Sequence, residues 1–97
     1  MTPVKKIEIV TASLEMDRLA RLLDGLGVSG YTIVRDVEGS GERGRRHGGE
    51  LTSASSNSYL MLACPSEDVS RIVDAVRPVL ERFGGVALVT DALWVQH

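Results

Sequence analysis

The sequence predicts an α+β domain in which strand, helix, strand, loop, strand, helix and strand follow one another. Three observations carry that expectation. Four segments are apolar and β-branched enough to be strands. Two others place apolar side chains at helical spacing. A long polar stretch, Glu38–Ser58, interrupts the middle of the chain with almost no large apolar side chains.

The first strand is Val4–Val10, where Ile7 and Ile9 can face a core while Lys6 and Glu8 point outward. Ser13 is the expected N-cap of the first helix, with Glu15 and Asp17 near its positive end. Leu19, Leu22, Leu23 and Leu26 trace its buried stripe, and Gly25 and Gly27 supply stop signals. The second strand, Tyr31–Val37, leads into the loop. The third, Tyr59–Cys64, is apolar enough to lie centrally in a sheet. Pro65 and Ser66 open the second helix, and Val69, Ile72, Val73, Val76, Leu80 and Phe83 form its buried face. Pro78 lacks the N–H that would bond the Asp74 carbonyl and should kink this helix; Gly84 and Gly85 end it. The last strand is Val86–Val95, with Trp94 near its end.

This βαββαβ order is the ferredoxin-like arrangement, an antiparallel sheet with both helices on one face. The other face is left uncovered. Simple alternation puts Val10, Val34, Leu60 and Leu62 there, and an apolar bare face on so short a chain calls for copies of itself.

At 97 residues the chain is a single domain, 1–97. A formal net charge of −2 argues against a general nucleic-acid binder. Cys64 is the only cysteine, so the chain can form neither an internal disulfide nor a thiolate metal cage. No apolar run reaches the roughly 18 residues of a membrane span. The expectation is a soluble cytoplasmic protein. The two histidines, His47 in the loop and His97 at the end, have no fixed partner for catalysis. The strands lack the aromatic pair of an RNA-recognition sheet.

Positive charge is local. Arg43, Arg45 and Arg46 stand beside Gly39, Gly41 and Gly44, and guanidinium groups with approachable backbone N–H groups are what an anion needs. Read alone, Gly39-Ser40-Gly41 is turn chemistry and the arginines are a solvated cluster.

Three short pieces change that reading: Gly30-Tyr31-Thr32-Ile33 opening the second strand, Gly39-Ser40-Gly41 at the loop base, and Gly84-Gly85 before the last strand. In this order around a long loop they make the chain resemble PII-type signal-transduction proteins. The nearest branch is the PII-like one associated with bicarbonate uptake and carboxysomes. The resemblance implies a homotrimer with an adenine nucleotide in each intersubunit cleft. It also implies that the loop 38–58, the T-loop of that family, responds to ligand and engages a partner such as a membrane bicarbonate transporter, which would recruit the protein to the membrane.

By position, Gly30, Tyr31 and Thr32 resemble the strand that meets adenine from a neighbouring subunit, with Leu62 beside it. Val37, Glu38, Gly39, Ser40 and Gly41 resemble the loop base that wraps the nucleotide, and Arg43 stands where it can reach phosphate. Gly85, Val86 and Ala87 resemble the opposite cleft wall. Arg43, Arg45 and Arg46 are the candidate grips for phosphate or bicarbonate.

The chain also departs from the nitrogen-regulatory pattern. Val86 and Ala87 follow Gly85 where a basic residue is usual, and Leu93-Trp94-Val95-Gln96-His97 lacks the late arginine pair. Fewer cations favour AMP, ADP or a cyclic nucleotide over ATP, with no metal and no catalytic residue expected. The loop has no tyrosine to modify, and no cysteine follows the last strand. Two other readings stay open: a slow nucleotide hydrolase using the loop arginines, and a structural trimer that docks a protein through the loop without a small ligand.

Overall fold

The structure, a computed structural model, describes residues 1–41, 44–46 and 56–97. In chain order its elements are β1 (Thr2–Ala12), α1 (Met16–Gly25), β2 (Thr32–Val37), β3 (Gly39–Gly41), β4 (Gly44–Arg46), β5 (Asn57–Cys64), α2 (Val69–Phe83) and β6 (Val86–Trp94). A 3₁₀ turn, Ser13–Glu15, precedes α1, and another, Ser66–Asp68, precedes α2. Four strands form an antiparallel sheet in the spatial order β2-β5-β1-β6. The expected α+β, ferredoxin-like architecture is present.

Directly opposed residues in an antiparallel sheet share a face. Ile7 opposes Leu62 and Val89, and Ile9 opposes Leu60 and Ala87. Ile7, Ile9, Leu60 and Leu62 pack with Met16, Leu19 and Leu23 from α1 and with Ile72 and Val76 from α2. Each such side chain, fully buried, contributes on the order of 1.5–3 kcal/mol. The helices therefore cover this face and hold the core together.

The same register puts Lys6, Glu8 and Val10 on the opposite, uncovered face. Ala63, Met61 and Tyr59 stand beside them on one side, and Thr90, Leu88 and Val86 on the other. Thr32 and Val34 extend that face on β2. Val34, Val86 and Leu88 are 48%, 46% and 56% exposed there. Val10 and Val34 thus stand where expected. Leu60 and Leu62 do not: they are core residues on the helix side, and Tyr59 and Met61 take the bare face. The reason is pairing with β1, which brings Leu60 and Leu62 opposite Ile9 and Ile7.

Two local expectations also change. Ser13 makes no capping hydrogen bond to the helix, because its hydroxyl is engaged elsewhere. Leu22 is exposed, while Met16 joins the buried stripe. α2 contains Pro78, is held by buried Ile72, Val76 and Val79, and ends at Gly84 as expected. The loop base also has structure of its own: Gly39 pairs with Arg46, Ser40 with Arg45 and Gly41 with Gly44.

Candidate functional site

One end of the sheet collects the glycine turn, the end of β1 and both roots of the loop. Val86 opposes Val10 where β6 begins. Ala12 opposes Asn57, and Asn57 opposes Val37 on its other side. The Asn57 root of the loop therefore lies on the strand next to the β1 end and the Val37 root one strand further out, and the glycine turn flanks the β1 end on its other side.

The turn is fixed by sterics and one buried hydrogen bond. Gly84 has φ 80° and Gly85 φ 124°, conformations that favour glycine. A Cβ on Gly85 would lie 2.2 Å from the Val10 carbonyl oxygen. Thr11 Oγ1 donates to the Gly84 carbonyl at 2.8 Å, and Gly84 N–H donates to the Leu80 carbonyl at 2.8 Å. By contrast, a Cβ on Gly30 or Gly39 would meet nothing within 4 Å.

The loop root has a bulge. Pairing of β2 with β5 shifts between Val34 and Val37, and Asp36 has φ 58°. Asp36 lies among Ser13, Ser56 and Ser58, and the last two are buried. Sequence reasoning missed this cluster. In the sequence Ser56 and Ser58 read as part of a serine-rich loop, and Ser13 reads as a helix cap.

The other candidate residues sit across the sheet. Thr32 is exposed on β2, directly opposite Met61. Tyr31 donates its hydroxyl to Asp24 at 3.1 Å, which raises the Tyr31 pKa because the neighbouring carboxylate disfavours the phenolate. Leu62, expected among the ligand contacts, has its side chain in the core and cannot offer it to a ligand. Strands β2 and β6 are the two edges of the sheet, so Thr32 and the glycine turn are separated by three strand spacings, roughly 14 Å.

Gly85, Val86 and Ala87 also line an apolar groove of about 340 Å³ between α2 and the sheet, together with Ile7, Ile72, Val73, Val76, Leu80 and Arg77. Arg77 is held by Asp74 at 3.2 Å. Arg43 lies outside the described residues, and Arg45 and Arg46 belong to the β3–β4 pairing. On the bare face Tyr59 donates to Glu8 at 2.6 Å, with Lys6 at 3.5 Å from the same carboxylate. The Tyr59 hydrogen bond lowers the Glu8 pKa and raises that of Tyr59. Among the described residues, no group of acidic, histidine or cysteine side chains could hold a metal, and no helix is long and apolar enough to cross a membrane.

The family model of nitrogen regulatory protein P-II matches residues 4–97. The chain belongs to the P-II family. Solved structures agree. CPII, a nitrogen regulatory PII-like protein from Thiomonas intermedia K12, bound to ADP, AMP and bicarbonate, is 32% identical with a TM-score of 0.85, over 93% of this chain and 86% of that one. CPII bound to ADP, AMP and acetate is 28% identical with a TM-score of 0.81, over 98% and 91%. Its apo form is 30% identical with a TM-score of 0.74, over 93% and 89%. Comparison with curated protein sequences gives no match. The roots of the loop following β2, Val37 and Asn57, and the glycine turn before β6 stand at one end of this chain's sheet, and the Thr32 strand is the edge opposite β6.

Proposed function

We propose that this P-II protein is a non-enzymatic regulatory sensor that binds AMP or ADP, together with bicarbonate, in clefts between the subunits of a homotrimer. One observation carries the reading. The chain shares fold and about a third of its residues with CPII, which is bound to ADP, AMP and bicarbonate, and its own glycine turn and loop roots stand at one end of the sheet.

The split of the candidate residues between opposite sheet edges supports an intersubunit site. A neighbour would bring its Thr32 edge to the glycine turn of the first chain. The bare face, with Val34, Val86 and Leu88 exposed, supplies apolar surface for that assembly. ADP or AMP is favoured over ATP because uncharged Val86 and Ala87 follow the turn, so no cation stands there for a third phosphate. Arg43, Arg45 and Arg46 supply the cations for phosphate or bicarbonate, and an arginine fork suits a planar oxyanion. The loop 38–58 then acts on a partner, a membrane bicarbonate transporter, from the cytoplasm.

A thermal-shift screen with AMP, ADP, ATP and cyclic AMP, each with and without bicarbonate, tests the reading. Ligand at a hundredfold excess over its dissociation constant stabilises the native state by about 2.7 kcal/mol. AMP or ADP should raise the melting temperature most. No shift with any nucleotide would contradict the proposal, and metal-dependent turnover of nucleotide would favour the hydrolase instead.

A further inference from the structure

Asp36 is a non-glycine residue in the left-handed region, with φ 58°. Such positions are costly and persist where the surroundings require them. Here both its backbone and its side chain are used. Asp36 N–H donates to Ser58 Oγ at 3.2 Å. Ser13 Oγ and Ser58 Oγ are 2.7 Å apart. Asp36 Oδ1 lies 3.1 Å from Ser56 Oγ and 3.4 Å from Ser13 Oγ. Ser56 Oγ and Ser13 Oγ are 3.2 Å apart, and Ser13 N–H donates to the Ser56 carbonyl at 2.9 Å.

Each hydroxyl has one proton to give. One assignment uses all three. Asp36 N–H donates to Ser58, Ser58 to Ser13, and Ser13 back to the Asp36 carboxylate, which also accepts from Ser56. The ring is closed. It gives the hydroxyls of buried Ser56 and Ser58 their partners, and it ties three segments distant in sequence: the β1–α1 junction, the root before the loop and the root after it. Two residues before Ser13, Thr11 donates to the Gly84 carbonyl. The end of β1 thus holds the glycine turn through the Thr11 hydroxyl, and Ser13, just past that end, holds both loop roots through its own.

We propose that Ser13 and Asp36 are positioning residues for the ligand site: their ring fixes the backbone of Val37–Gly39 relative to the Gly84–Gly85 turn, so that ligand meets N–H groups already in place. This role rests on the nucleotide-binding reading above. Preorganisation of this kind removes an ordering cost that ligand would otherwise carry.

The test uses the full chain, with hydrogen exchange of the root amides in ligand-free protein and ADP titration calorimetry as paired readouts. Ser13→Ala and Asp36→Gly should speed exchange at residues 36–38 and 57–58 and weaken ADP binding roughly threefold to tenfold, the worth of an ordinary hydrogen bond. Ser13→Thr keeps the hydroxyl, and Asp36→Asn keeps an acceptor and tolerates the left-handed backbone; both should stay near the parent. Asp36→Gly relieves the backbone strain, so slower exchange in that variant would overturn the proposal in favour of a simple turn. If Ser13→Ala does not fold, Asp36→Gly, at an exposed position, decides alone. ADP binding by the parent with unchanged exchange and affinity in the variants overturns the positioning role alone. No ADP binding by the parent overturns the nucleotide reading and the positioning role with it, while the exchange rates still show whether the ring holds the roots.

Discussion

Gly85 packs so closely on Val10 that an added Cβ would stand 2.2 Å from the Val10 carbonyl oxygen and 3.1 Å from Thr11 Cα. Both obstacles include backbone, which cannot swing aside, and φ 124° is unfavourable for any L side chain. Gly85→Ala should therefore destabilise the protein by at least about 2 kcal/mol. Gly39→Ala, where the new Cβ meets nothing within 4 Å, should be nearly silent in stability. Denaturant unfolding of the two variants makes the comparison.

Thr11 is fully buried, and its hydroxyl satisfies the Gly84 carbonyl. Thr11→Val conserves shape but removes the donor, and should cost about 1–3 kcal/mol. Thr11→Ser keeps the donor and should cost less. A larger loss in Thr11→Ser than in Thr11→Val would show that packing of the Thr11 methyl, not the hydrogen bond, holds the turn.

The Tyr59–Glu8 pair makes a pH-dependent contribution of known sign. Glu8 has a lowered pKa in the folded chain, first because Tyr59 donates to its charged form. A lowered folded-state pKa gives stability that is present above the unfolded value and lost as pH falls through the folded one. Tyr59→Phe should return the Glu8 pKa toward its ordinary value and flatten the acid limb of the stability profile. Carboxyl NMR titration of Glu8 in the parent and in Tyr59→Phe measures it.

The bare sheet face should be the assembly surface. Val34 is 48% exposed in the isolated chain and opposes Tyr59 rather than a charged residue, so Val34→Asp should cost a monomer no more than about 0.5 kcal/mol. In a trimer it would bury an unpaired charge, at about 3–5 kcal/mol. Light scattering should show three chains for the parent and dissociation for the variant. A parent that is monomeric at micromolar concentration would remove the intersubunit cleft altogether.

Much of this was legible in the sequence, and the failures have physical causes. The order and type of the main elements follow from helical spacing in α1 and α2 and from β-branched runs. The orientation of β5 does not, because Tyr59–Cys64 is apolar throughout and alternation has no phase there. Only pairing with Ile7 and Ile9 turns Leu60 and Leu62 inward. Gly84-Gly85 was readable as a stop signal, but the close approach to Val10 that demands glycine at 85 is tertiary. The Ser13–Asp36–Ser56–Ser58 ring joins residues as much as 45 positions apart. Each member has a local explanation as cap, turn or loop residue, so nothing local marks the set.

The loop arginines carry the last variant series. Replacing Arg43, Arg45 or Arg46 by Ala removes a charge-assisted hydrogen bond wherever that residue grips an anion. Such a bond is worth about 1.5–3 kcal/mol, a tenfold to hundredfold loss in affinity. Stability of the folded chain should hardly move. Calorimetry with ADP, with and without bicarbonate, identifies the residue that grips; full affinity in all three variants would place the anion on backbone N–H groups around Gly39–Gly41.

The most direct test of the central claim is calorimetric titration of the purified parent chain with ADP, AMP and ATP. Saturable binding of ADP or AMP at one site per chain, within a trimer, and weaker binding of ATP are expected. Absence of binding by all three would contradict the sensor reading, and tighter binding of ATP would contradict the argument from uncharged Val86 and Ala87 after Gly85.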